Sequence, residues 1–174
     1  MTGQTSAVTS DTLSLADLVQ LLNREARLLD ENRLGEWLEL LTQDVTYWVP
    51  LDPSAASPGE HLSIVSEDRF RLEARVWRIT EAGVNHSQDP PSRTLRVVSN
   101  VELDVTSPAE PVARFVTVLY ETRPGGQRQP DAVRTYPIRC QYRLRQEAGQ
   151  WRICFRKMTI LQVDSDLSAM TFLV

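Results

Sequence analysis

The sequence predicts an α+β fold: a cone-shaped α+β barrel, with three N-terminal helices packed in a strongly curved, mixed or antiparallel sheet. Three observations predict it. Apolar residues recur at helical spacing in the first half and alternate with polar ones, at a period of two, in the second. The second-half strands are long, and long strands twist and curl, so helices can cover a concave face. The chain has 174 residues, 41% hydrophobic and 24% charged, enough for one core without a disulfide or metal staple.

The elements follow in order. Residues 1–13 are Thr/Ser-rich and read as a flexible N-terminus; residues 14–174 read as one domain. Ser14 or Asp11 caps a helix from Leu15, with Leu15, Leu18, Val19, Leu22, Ala26 and Leu29 as its apolar stripe. After Asp30-Glu31-Asn32, a shorter helix buries Leu34, Trp37, Leu38 and Leu41. Asp44 to Pro50 reads as a strand closed by proline, residues 51–60 as an exposed loop, and His61 to Val65 as a short strand. Ser66 caps a third helix, Asp68 to Thr80, with Phe70, Ala74, Trp77 and Ile79 inward. The period then changes. Leu95, Val97, Ser99, Val101, Leu103 and Val105 alternate with Arg96, Asn100, Glu102 and Asp104. Residues 112–122 form a strand with an expected bulge, and Pro124-Gly125-Gly126 a turn. Tyr136, Ile138, Cys140, Tyr142 and Leu144 alternate with Arg139, Gln141, Arg143 and Arg145; Ala148-Gly149 reverses the chain into a last strand over 151–162.

Composition excludes several classes of function. The net charge of −4 argues against general nucleic-acid binding. It divides unevenly: residues 1–92 carry 15 acids and 7 bases, residues 93–174 carry 8 acids and 12 bases. The halves should have different surface roles. No stretch approaches the roughly 20 apolar residues of a membrane helix, and the first dozen residues do not resemble a secretory signal. Cytoplasmic residence with reduced thiols is the expectation. Two His (His61, His86) and two Cys (Cys140, Cys154) fit neither a Rieske cluster nor a zinc pair. No catalytic or metal-ligating residue is assigned to this chain. Strand parity puts Cys140 on the apolar face and Cys154 on the polar face, so both are expected as free thiols.

Several blocks resemble one family. Glu25 to Glu31 (EARLLDE), Trp37, and Asp44-Val45-x-Tyr47-Trp48-x-Pro50 are similar to the β (small) subunits of aromatic-ring-hydroxylating Rieske non-haem iron dioxygenases. So are Asp89-Pro90-Pro91-Ser92-Arg93 with Val98-Ser99-Asn100-Val101, Trp151-Arg152-Ile153 and Leu167-Ser168, a span of roughly residues 15–168. Two stretches depart from the family pattern: Gly126 to Asp131 and the tail from Asp166 to Thr171. The resemblance implies the cone-shaped fold of nuclear transport factor 2-like proteins. It implies a non-catalytic β subunit that supports iron-containing α subunits, typically as α3β3, in an enzyme that hydroxylates an aromatic ring with O2 and NAD(P)H-derived electrons. It places the Rieske [2Fe-2S] cluster and mononuclear iron on the α subunit, with a ferredoxin or reductase as indirect partner.

Parity puts Arg139, Arg143, Arg145, Arg152 and Arg156 on the outward face of the last two strands, a docking surface for an acidic partner or a solvated face. Arg93, on a proline-stiffened loop, is a further contact candidate. A stand-alone isomerase, dehydratase or ligand-binding protein of the same fold would instead use Asp30, Asp44, Tyr47 and His86 in a polar pocket, with Asp89 near the histidine. The plainer readings are helix punctuation for Asp30, a turn carboxylate for Asp44 and a loop histidine for His86.

Overall fold

Helix α1 (Leu15–Asp30) starts at Ser14, whose hydroxyl accepts from the Asp17 amide at 3.1 Å. A computed structural model of the chain describes residues 12–81, 91–123, 133–163 and 173–174. Its further elements are α2 (Leu34–Leu38), β1 (Leu41–Pro50), β2 (Ser63–Asp68), α3 (Arg69–Thr80), β3 (Arg93–Asp104), β4 (Val112–Thr122), β5 (Arg134–Glu147) and β6 (Gln150–Ile160). The strands form one six-stranded sheet in the order β2-β1-β6-β5-β4-β3. All neighbours are antiparallel except β1 and β6. The α+β class and the mixed sheet thus agree with the sequence. Among the described residues no helix is long and apolar enough to cross a membrane.

The core lies between the concave face of the sheet and the helices. Leu18, Leu22, Leu28 and Leu29 of α1 share one buried cluster with Ile138, Tyr142, Leu144, Ile153, Met158 and Ile160 of β5 and β6. Leu13, just before the helix cap, is buried in this core. Leu15 is exposed instead, and Glu25 takes a place on the buried stripe.

Three inside–outside assignments change. In α3 the buried residues are Leu72 and Val76, while Phe70 is 78% and Trp77 58% exposed. The cap is Asp68, not Ser66: Asp68 Oδ1 accepts from the Arg71 amide at 2.9 Å, and Ser66 belongs to β2. In β3, Leu95 and Val97 face outward and Arg96 inward. A register shift between Ser99 and Glu102, with Asn100 at φ 53°, restores Val101 and Leu103 to the core side. In β6 the shift between Leu144↔Ile153 and Arg143↔Phe155 leaves Cys154 as the extra residue. Beyond it Arg156, Met158 and Ile160 point inward. The irregularity expected in residues 112–122 appears in their pairing with β3, where the extra residue lies on β3 rather than on β4; the β4–β5 pairing is regular.

Both cysteines are free. Position along the strands adds to the difference of face: Cys140 lines the interior, and the charges nearest Cys154 are those of the outer residues Glu110, Arg145, Arg143 and Asp44. Cys140 pairs with Met158, so Cys154 sits roughly 10–13 Å away along β6, beyond disulfide reach. The 51–60 segment is less detached than expected. Ala55 is buried with Trp48 and Phe155 on the outer side of the sheet. The chain's one lysine, Lys157, holds the Ala55 carbonyl at 2.6 Å and lies over the Trp48 ring. The β5–β6 turn places Ala148 and Gly149 at positive φ, as a two-residue hairpin requires. The Pro124-Gly125-Gly126 turn and the divergent tail from Asp166 to Thr171 lie outside the described residues.

Candidate functional site

The interior of the cone is built around two ion pairs between α1 and the sheet. Glu25 accepts from Arg156 Nε at 2.9 Å and from Trp37 Nε1 at 3.2 Å. Asp30 pairs with Arg96 through side chain and backbone, and accepts from Thr94 Oγ1 at 3.0 Å. Both guanidinium groups are almost fully enclosed. The Arg156 guanidinium also lies 5.0, 5.3 and 5.7 Å from the ring centroids of Tyr47, Tyr142 and Trp37. Burial opposes its charge, yet Glu25, with smaller contributions from Tyr142 and Tyr47, raises Arg156 above the ordinary arginine range. Burial, aided by the like charge of Arg156, lowers Arg96, with Asp30 opposing. A buried arginine remains a cation in such company.

The two guanidinium groups reach a second partner, the main chain of residues 173–174. Arg156 Nη1 donates to the Val174 oxygen and Arg96 Nη2 to the Leu173 oxygen. The Tyr47 hydroxyl donates to the Val174 oxygen and accepts from the Val174 N–H, both at 3.0 Å. Burial raises Tyr47 above the usual phenol range, so it stays a neutral hydrogen-bonding group. Burial likewise pushes the Cys140 thiol up to about 12.

The pocket candidates separate. Asp30 and Tyr47 both face the interior, bridged by Arg96 and Leu173–Val174. Asp44 does not join them: it is exposed and bonds to Arg145 at 2.8 Å, which holds its carboxyl below the usual range. His86 and Asp89 lie outside the described residues. Asp30, Asp44 and Tyr47 are therefore not assembled into one acid–base set. Among the described residues no cluster of three His, Cys, Asp or Glu forms.

The arginine face divides too. Arg139 and Arg143 are exposed on β5, and Arg93 at the start of β3. Arg143 lies 4.6 Å above the Phe155 ring, and Arg145 bonds Glu110 at 2.6 Å. Arg152, part-buried, approaches Glu147 at 3.7 Å and lines an open groove of about 920 Å³ with Asp17, Arg24 and Trp151. Arg156 is the correction: it is 2% exposed and turned into the cone by the Cys154 bulge, not displayed on the outer face.

Sequence reasoning missed Glu25, Arg96 and Glu121. Glu25 had a signal: it falls on the stripe Leu18, Leu22, Leu29, where a carboxylate needs a buried partner. Glu121, with no exposed surface, accepts from Ser92 at 2.7 Å, Arg123 at 2.8 Å and Tyr136 at 3.1 Å. Burial works against its charge, but these donors hold the carboxyl below its ordinary value.

Comparison with known proteins decides the family. Residues 24–164 match the ring hydroxylating beta subunit family. The chain belongs to that family. It is the small, β subunit of an oxygenase component. This β subunit is 34% identical over 153 residues to the small oxygenase component of the p-cumate 2,3-dioxygenase system of Pseudomonas putida, covering 84% of this chain and 81% of the relative. It superimposes on the β subunit of benzoate 1,2-dioxygenase from Burkholderia mallei with a TM-score of 0.72 at 25% identity, over 93% and 99% of the two chains. An NTF2-like protein with a cystatin-like fold from Novosphingobium aromaticivorans shares the fold (TM-score 0.54, 16% identity, 90% and 93% covered).

Proposed function

We propose that this β subunit is a structural, non-catalytic member of a bacterial Rieske dioxygenase that hydroxylates an aromatic ring, acting by supporting and positioning α subunits. The Rieske [2Fe-2S] cluster and the mononuclear iron belong to the α subunit, and NAD(P)H-derived electrons reach it through a ferredoxin or reductase. The assembly is α3β3 and cytoplasmic. The observation that carries this reading is family membership across residues 24–164.

Surface chemistry supports it. Phe70 and Trp77 on α3, and the cross-strand pair Leu95 and Tyr120, are exposed large apolar groups of the kind partners cover. Arg93, Arg139, Arg143, Arg145 and Arg152, exposed or part-buried, supply planar donors suited to acidic partner patches.

The test is co-expression with the α subunit. The β subunit should co-elute with a red-brown partner, while the isolated, well-folded chain binds no iron and shows no oxygenase activity. Stoichiometric iron in the isolated chain, or a folded chain that stays apart from α, overturns the reading. Charge reversal of Arg143 and Arg152 should shift the complex to smaller species on size exclusion; unchanged assembly removes the arginine face from the interface.

A further inference from the structure

Residues 173 and 174 occupy the cone as a ligand occupies a pocket. Both are buried, with Leu173 3% and Val174 4% exposed. Their side chains join the apolar core formed by α1 and the sheet. Their main-chain oxygens take the guanidinium donors that Glu25 and Asp30 leave over, and the Tyr47 hydroxyl engages both N–H and oxygen of Val174. This is the usual anatomy of a small-molecule site: apolar walls and a few convergent polar groups that fix orientation.

The space around the dipeptide agrees. Behind Val174 a void of only about 10 Å³ remains among Glu25, Thr117, Cys140, Tyr142 and Arg156. In front of Leu173 a cleft of about 350 Å³ opens at the mouth, lined by Asn32, Ile79, Thr80, Thr94 and Arg96. Leu173 lines this cleft beside Arg96, while Arg156 lies deeper, beside Val174. Without the dipeptide, cleft and interior would join, and each buried guanidinium group would lose one acceptor and keep only its carboxylate partner, leaving donors unpaired at a cost.

We propose that the cone interior is a ligand-binding site filled in cis, with Leu173–Val174 as its built-in peptide ligand. Vacated, the site takes small branched-aliphatic molecules that carry an amide or carboxylate oxygen. The oxygen sits between Arg156 and Tyr47, a second acceptor meets Arg96, and the apolar body lies against Leu22, Leu29 and Ile138.

The experiment uses the chain lacking residues 173 and 174, in a Cys154→Ser background so that Cys140 is the sole thiol. Cys140 lines the interior beside Val174, so its reaction with a methanethiosulfonate reagent reports opening. The deletion should raise that rate by about tenfold or more. N-acetyl-Leu-Val should reverse the rise saturably, with a dissociation constant on the order of millimolar for so small a ligand. It should also raise the melting temperature of the deleted chain by roughly 3 °C. The intact chain should respond to neither, and N-acetyl-Gly-Gly should fail to substitute. If the deletion does not fold, Leu173→Ala with Val174→Ala retains the backbone acceptors, and should give a smaller rise that the same peptide suppresses. Cys140 equally protected in the altered chains, or exposed without protection by N-acetyl-Leu-Val, overturns the proposal.

Discussion

The same two residue types, arginine and a carboxylate, are paired inside the cone and on its outer surface, with opposite consequences. Inside, Glu25–Arg156 and Asp30–Arg96 join α1 to β6 and β3 in largely buried surroundings. Outside, Arg145 spans Asp44 and Glu110 in contact with solvent. An exposed pair gains little, because water and salt screen it. A buried pair gains little net stability either, but the loss of one partner strands a charge. The interior pairs therefore determine how α1 seats in the sheet; the outer ones remain available to a partner.

The largest expected effect tests that contrast directly. Glu25→Gln leaves Arg156 buried without its counter-charge and should cost about 3–5 kcal/mol, read as a lower urea midpoint. Glu25→Leu combined with Arg156→Met should recover much of that loss; a double variant as weak as the single would mean that the pair itself carries stability.

Next comes Glu121, buried but served by several donors. Glu121→Gln should cost about 1–3 kcal/mol near neutral pH. Its carboxyl lies lower in the folded chain than in the unfolded one, so the folded state favours the ionised form. The contribution is complete above the unfolded value of about 4.3 and is lost as pH falls through the folded value. The gap between wild type and Glu121→Gln in urea midpoint should narrow in acid; a constant gap would break the assignment.

A backbone change on the surface should be smaller and of opposite sign. Ala148 holds a left-handed conformation at φ 49° that glycine adopts freely, so Ala148→Gly should add about 0.5–1 kcal/mol. The smallest effect belongs to Arg145→Ala. Its midpoint shift should fall below the others and vanish in high salt; a large, salt-resistant loss would erase the distinction between the two regions.

Where the sequence was legible, a regular period met a single environment. The α1 stripe, the Ser14 cap and the alternation of β5 are of this kind. It was illegible where one extra residue changed the phase. The Cys154 bulge moves Arg156 from the outer face into the core, and the kink at Asn100 lets β3 show Leu95 to solvent while burying Arg96. In α3, both Phe70/Trp77 and Leu72/Val76 fit a helical stripe, and periodicity alone does not choose between them.

The sequence by itself determined the α+β class, the order of the elements, the change of period between halves and the family blocks. Those rest on local pattern and on residue identity. Only the tertiary structure decided that Arg156 is an interior residue, that Asp44 faces solvent while Asp30 and Tyr47 face inward, and that Leu173–Val174 closes the cone. Each depends on contacts between residues far apart in the chain: Glu25 with Arg156, Asp30 with Arg96, Tyr47 with Val174. A bulge decides which side chains meet, and no periodicity counts a residue that pairs with nothing.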